Sequence, residues 1–152
     1  MAAPVHRPLR LVLDTNVVVA GLLWNGPPRR LIELAIEGDA VELFSRAVLL
    51  DELAHTLGYS KFSARIATFG TSIAALVAQY MALVSLVAPV SVPHVVVNDA
   101  DEDHVIAAAV AARAELIVTG DRKHLLPVGS RQGIAIVTAH EVLDRLDARF
   151  RT

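Results

Sequence analysis

Four acidic side chains occupy positions that a fold could gather. Asp14 ends the aliphatic run Leu11-Val-Leu-Asp-Thr-Asn16, and Asp121 ends Ile117-Val-Thr-Gly-Asp121. Asp103 closes the acidic run Asp99-Ala-Asp-Glu-Asp103 ahead of an Ala-rich segment, and Glu52 lies in Leu50-Asp-Glu-Leu53. Each alone has an ordinary role: Asp14 and Asp103 as helix caps, Asp121 as a turn residue after Gly120, Glu52 as a solvated helix carboxylate. The set asks for more. Carboxylates brought to one rim repel one another, which raises their pKa values and costs stability unless a cation sits among them. The donors are hard oxygens, because the chain has no Cys and its six His show no ligand spacing. That donor set suits Mg²⁺ or Mn²⁺ better than zinc.

Positioning these acids falls to short strands and the helices between them. Residues 9–13, 41–44, 115–118 and 134–137 are aliphatic runs without helical period and are expected as buried strands. Helices are expected over 29–37 after Pro27 and Pro28, over 47–57 after Ser45, and over 104–112 after an acidic cap. A last helix follows Thr138-Ala-His-Glu141, which has the form of a capping box. Strands spaced by helices imply right-handed crossovers, hence an α/β fold with a mainly parallel central sheet covered on both faces. In such a sheet the residues just past the strand ends collect at one edge, where Asp14 and Asp121 would stand. Leu49, Leu53 and Leu57 mark the apolar face of the 47–57 helix and leave Glu52 at its edge, able to point along the rim.

Composition sets the outer bounds. The 152 residues fit one domain, spanning 1–152 with a core over about 9–148. Hydrophobic residues reach 54% and aromatic ones only 5%, so the core is aliphatic and a disordered chain is excluded. A net charge of -2 gives no bulk attraction to nucleic acid, and any such binding must be local. The lack of Cys suits a reducing, cytoplasmic setting and removes thiol chemistry. No export signal is read, because Asp14 breaks the first apolar run. Residues 66–98 contain no Asp, Glu, Lys or Arg. Polar breaks, and Pro89 after 73–88, favour a buried helix running into a strand over a membrane span.

Taken in order, Asp14-Thr-Asn16 after a strand, a helical Glu52, Asp103 followed by Ile106-Ala-Ala-Ala109, and Thr119-Gly-Asp121 resemble the PIN domain. The likeness covers about residues 9–143. Thr56-Leu-Gly-Tyr-Ser-Lys-Phe62 and the acidic run before the Ala-rich helix are similar, more narrowly, to PIN-family toxins of toxin–antitoxin systems. The resemblance implies a three-layer α/β/α fold and a metal-dependent endoribonuclease. Asp14, Glu52, Asp103 and Asp121 would hold Mg²⁺ or Mn²⁺, which activates water for in-line attack on an RNA phosphodiester and offsets phosphate charge. Asn16 would hold Asp14 or a metal-bound water by a hydrogen bond, and Thr119 would do the same for Asp121, with ordinary turn polarity as the plainer reading of both. Asp103 is chosen by the family register, three residues before Ile106 and four before Ala107, with Asp99 and Asp101 as accessory acids. The partners implied are an RNA substrate and a cognate antitoxin protein, with a homodimer expected and no membrane.

Holding a polyanion requires cations near the rim, and Arg122 and Lys123 directly follow Asp121. Arg29, Arg30 and Lys61 are further candidates. His104 and His124 lie near acids, with a loop or cap role as the plainer reading. Trp24, the only Trp, either packs against a neighbouring helix or partner chain, which is preferred, or stacks an RNA base. Two rival readings keep some of these features. One is a PIN-fold RNA-binding or protein-interaction module without catalysis. The other is a phosphatase of the haloacid dehalogenase type, disfavoured because Asn16 stands where a second Asp belongs and no Lys is suitably placed.

Overall fold

Strand β1 (Leu9–Leu13) alternates across the sheet as its period of two requires: Leu9, Leu11 and Leu13 enter one core, Val12 another. The computed structural model describes residues 7–88, 100–122 and 125–150. After β1 come α1 (Thr15–Leu23), α2 (Pro27–Glu37), β2 (Val41–Ser45), α3 (Ala47–Leu57), α4 (Ser60–Thr68), α5 (Ile73–Met81) and β3 (Val84–Leu86). The second half holds α6 (Ala100–Ala112), β4 (Leu116–Val118), β5 (Ser130–Arg131), β6 (Ile134–Val137) and α7 (Ala139–Phe150).

The strands lie in the order β3-β2-β1-β4-β6-β5, every pair parallel except β5 with β6. β1 sits centrally, with Leu11 beside Leu43 of β2 and Leu116 of β4. Helices cover both faces, giving the three-layer α/β/α arrangement. On one face Leu11, Leu43 and Val118 meet Val17, Leu31, Leu53, Leu57, Tyr80 and Val142 from α1, α2, α3, α5 and α7. The other face is smaller: Val12, Phe44, Ile117 and Ile136 meet the Ala-rich α6 through Val105, Ile106, Ala108 and Ala109. Small side chains let α6 lie close to the strands, and Arg10 closes its far end by donating to the Ala112 carbonyl.

The strand and helix expectations agree closely with these elements, with several differences, among them α4, which no expectation covered. The 104–112 helix begins four residues earlier, at Ala100, so Asp103 lies inside its first turn and is not its cap. Ser45 ends β2, and the residue preceding α3 is Arg46, whose side chain makes no capping bond. α5 is not a buried helix throughout, since only Leu76 and Tyr80 are buried on it. α1 was not anticipated: its TNVVVAGLL sequence is buried almost all round, which erases the helical period that sequence reading relies on. α1 and α2 cross tightly at Gly21, where a Cβ would meet Ile32 Cδ1 at 2.6 Å and the Pro28 carbonyl at 3.0 Å. The Thr138 cap is present, its hydroxyl accepting from the Glu141 N–H at 3.2 Å. Among the described residues, no helix is long and apolar enough to cross a membrane.

Candidate active site

β1 and β4 are neighbours and stop together, and their following residues continue the pairing: the Asp14 N–H donates to the Val118 carbonyl at 2.8 Å. The Thr119 N–H in turn donates to the Val137 carbonyl of β6 at 3.0 Å. Asp14 and Thr119 therefore stand side by side at the edge where parallel sheets place their sites. Asp14 caps α1, its Oδ1 accepting from the Thr15 N–H at 2.9 Å. Its Oδ2 accepts from the Thr119 hydroxyl at 2.7 Å and from the Asn16 amide at 3.2 Å. Bonds to an ionised acceptor are the strong ones, so this carboxylate has a fixed orientation although it is only 8% exposed.

Two of the side chains do double duty. The Thr119 hydroxyl donates to Asp14 and accepts from the Asp121 N–H at 3.0 Å. The Asn16 carbonyl oxygen accepts from the Gly120 N–H at 3.0 Å while its amide holds Asp14. The start of α1 and the loop after β4 are thus stitched into one unit. Asn16 donates to Asp14. The Thr119 hydroxyl binds the Asp14 carboxylate as well as the Asp121 backbone N–H. Nothing in the Thr-Gly-Asp triplet marks that cross-strand bond; it exists because β1 and β4 are adjacent.

Asp103 is buried at 5% exposed, in the first turn of α6, where a negative charge is favoured by the helix dipole. The start of α6 is tied to the start of α3 by Arg46, whose guanidinium lies 3.0 Å from His104 Nδ1. That contact gives His104 a structural partner and sets the entry of both helices near the end of β2. Glu52 is half-buried in the middle of α3, and Asp121 is half-buried at the rim beside exposed Arg122. Asp101 falls in α6, while Asp99, Lys123 and His124 lie outside the described residues. Among the described residues, no three His, Asp or Glu side chains form a group that could by itself hold an ion. The described bonds bring Asp14, Asn16, Thr119 and the Asp121 backbone together; Glu52 stands on α3 and Asp103 on α6.

A family model described as the PIN domain matches residues 10–123, well over half of the chain and a span that includes all four acids. The chain belongs to the PIN domain family. No curated protein matches it closely. PIN domains are nucleases of the hydrolase class that act on RNA, typically with divalent metal ions, and this chain shares their layered α/β/α sheet. The residues at its rim suit such an ion in kind: they are carboxylates, and the most constrained, Asp14, is oriented by neutral donors from Thr15, Asn16 and Thr119. Of the remaining basic candidates, Arg30 pairs with Glu33 and Glu37 on the α2 surface, and Lys61 lies over the Phe62 ring. Trp24 packs edge-on against Phe62 of α4, as preferred, and keeps 40% of its surface exposed.

Proposed function

We propose that this PIN domain is a divalent-metal-dependent endoribonuclease, with Asp14, Glu52, Asp103 and Asp121 holding Mg²⁺ or Mn²⁺. The observation that carries the reading is the buried Asp14 carboxylate held by Thr119 and Asn16 at the strand ends of a nuclease fold. When bound, the ion supplies Lewis acidity for attack by water and offsets charge on the phosphodiester. The chain's own residues do the positioning. Thr119 and Asn16 hold Asp14 in one orientation before substrate arrives, so that little side-chain freedom is lost at the reacting centre. The bond from the Asp121 N–H to Thr119 fixes the backbone that presents Asp121. Arg122 and Lys123, with Asp99 and Asp101 as accessory acids, complete the proposed site, the two cations contacting RNA phosphate without reading sequence.

The toxin role and the antitoxin partner extend this reading and rest on the resemblance of 56–62 and of the acidic run before the Ala-rich helix; the homodimer is a further expectation, and the cytoplasmic setting rests on the lack of Cys. Segment 56–62 forms the corner between α3 and α4, closed by bonds from the Gly58 and Tyr59 N–H groups to the His55 and Thr56 carbonyls. A rival reading is a PIN-fold module without catalysis, and on its side stands the absence of a ready group of three acids among the described residues. Cleavage separates the two. Purified protein should cut single-stranded RNA with Mn²⁺, lose activity in EDTA, and lose it by at least a hundredfold in Asp14→Asn. Undiminished cleavage by Asp14→Asn under Mn²⁺ overturns the assignment.

A further inference from the structure

At the far end of α1 from Asp14, three aromatic rings alternate with three cations. Arg65 of α4 donates its Nε–H to the Leu23 carbonyl at 2.8 Å, and its guanidinium lies 5.4 Å from the centre of the Trp24 ring and 4.6 Å from that of Phe69. Phe62 meets Trp24 edge-on at 5.9 Å and carries Lys61 over its face at 5.2 Å. Arg29, at the start of α2, completes a cavity of about 190 Å³ lined by Leu23, Trp24, Asn25, Arg29, Arg65 and Phe69. No acid lines it, and among the described residues none of the three cations makes an ion pair. Trp24 is 40% and Phe69 53% exposed, so ring surface and unneutralised positive charge face solvent together.

We propose that this cluster is a second RNA-binding site, remote from the rim, that stacks unpaired bases on the exposed ring surfaces of Trp24 and Phe69, outside the Arg65 guanidinium between them, and holds the adjoining phosphates with Arg29, Arg65 and Lys61. Aromatic faces interleaved with cations suit single-stranded nucleic acid, because stacking accepts any base and the charges track the backbone. The chain is net acidic, so a local concentration of cations is what a polyanion would find. The α2 N-terminus at Gly26 and Pro27 adds its positive dipole on the same side. α1 has nine residues, which sets the cluster about 13 Å from Asp14 along the helix axis. An RNA must therefore run several nucleotides past the cleavage point to touch both, which would make the site a selector of substrate length and single-strandedness. The inference rests on the reading of RNA as substrate, and it is tested without cleavage.

Trp24 is the only Trp, so its emission reports the cluster alone. Titration with a ten-nucleotide oligouridylate in EDTA should quench it saturably, and an RNA duplex of equal length should quench it far less. Arg29→Ala should weaken binding several-fold and lower the salt slope by about one, Arg29→Lys should restore most of the affinity, and Phe69→Ala should also weaken it. Emission that RNA leaves unchanged, or quenching indifferent to Arg29→Ala and Phe69→Ala, overturns the proposal. Cleavage without quenching removes this site and leaves the nuclease reading intact; quenching by a protein that cuts no RNA does the reverse.

Discussion

Thr119 is the side chain on which the arrangement at the strand ends turns. Fully buried, its hydroxyl donates a hydrogen bond to Asp14 and accepts one from the Asp121 backbone N–H. Thr119→Val keeps the shape and removes both bonds, taking one donor from Asp14 Oδ2, which keeps the Asn16 amide, and the hydroxyl acceptor from the Asp121 N–H. A lost hydrogen bond costs about 0.5–3 kcal/mol. We therefore expect Thr119→Val to lose about 2 kcal/mol or more, a fall in melting temperature of roughly 4–8 °C for a chain of this size, read by calorimetry in EDTA. Thr119→Ser retains the hydroxyl and should keep both stability and cleavage. Equal melting of Thr119→Val and wild type would show that the observed bonds contribute nothing net.

Among the elements, α5 is held to the core by few residues, and Tyr80 is the largest of them, 2% exposed. Its hydroxyl is buried without a hydrogen-bond partner among the described residues. Burial pushes the phenol above its usual value of 10.0 by penalising the charged form. A group whose folded pKa is raised contributes stability that is complete below its unfolded value and is lost as the pH climbs beyond it. Wild-type stability should therefore fall as pH rises above about 10, where the unfolded chain sheds the tyrosine proton and the folded chain cannot. Tyr80→Phe should be at least as stable at pH 7, because it removes an unpaired polar atom, and should lose less stability between pH 10 and 11. Urea midpoints at the three pH values decide it, and a destabilised Tyr80→Phe at pH 7 would mean that the hydroxyl has a partner.

For the whole molecule, the proposed ion couples the site to global stability. Acids that repel in the empty site and bind the ion when it is present affect the two states in opposite directions. An ion at one hundred times its dissociation constant adds roughly 2.7 kcal/mol. Asp121→Asn should then melt at or above wild type in EDTA and gain little from Mn²⁺, while wild type gains several degrees. A loss of stability in EDTA with an intact Mn²⁺ response would make Asp121 a structural turn residue. At the same scale, a net charge of -2 coexists with a local cluster of Arg29, Arg65 and Lys61 around exposed rings.

Much of the scaffold was legible in one dimension. Aliphatic runs at 9–13 and 134–137 became β1 and β6 without a shift, since buried parallel strands carry uninterrupted hydrophobic sequence, and the 47–57 helix kept its bounds because Leu49, Leu53 and Leu57 repeat at helical spacing. The types of the rim residues were legible too, in Asp14-Thr-Asn16 and Thr119-Gly-Asp121. α1 was hidden because burial on all sides leaves no polar face, and the start of α6 was hidden because acidic residues suit a cap and a first helical turn alike. Strand order was not encoded locally at all. Only the packing that sets β4 beside β1 decides that Thr119 bonds Asp14 across 105 residues, and only the return of α4 against the end of α1 brings Arg65 between Trp24 and Phe69. Sequence spacing states which groups a chain possesses; contacts between distant segments depend on burying both faces of the sheet, and that is settled by the fold as a whole.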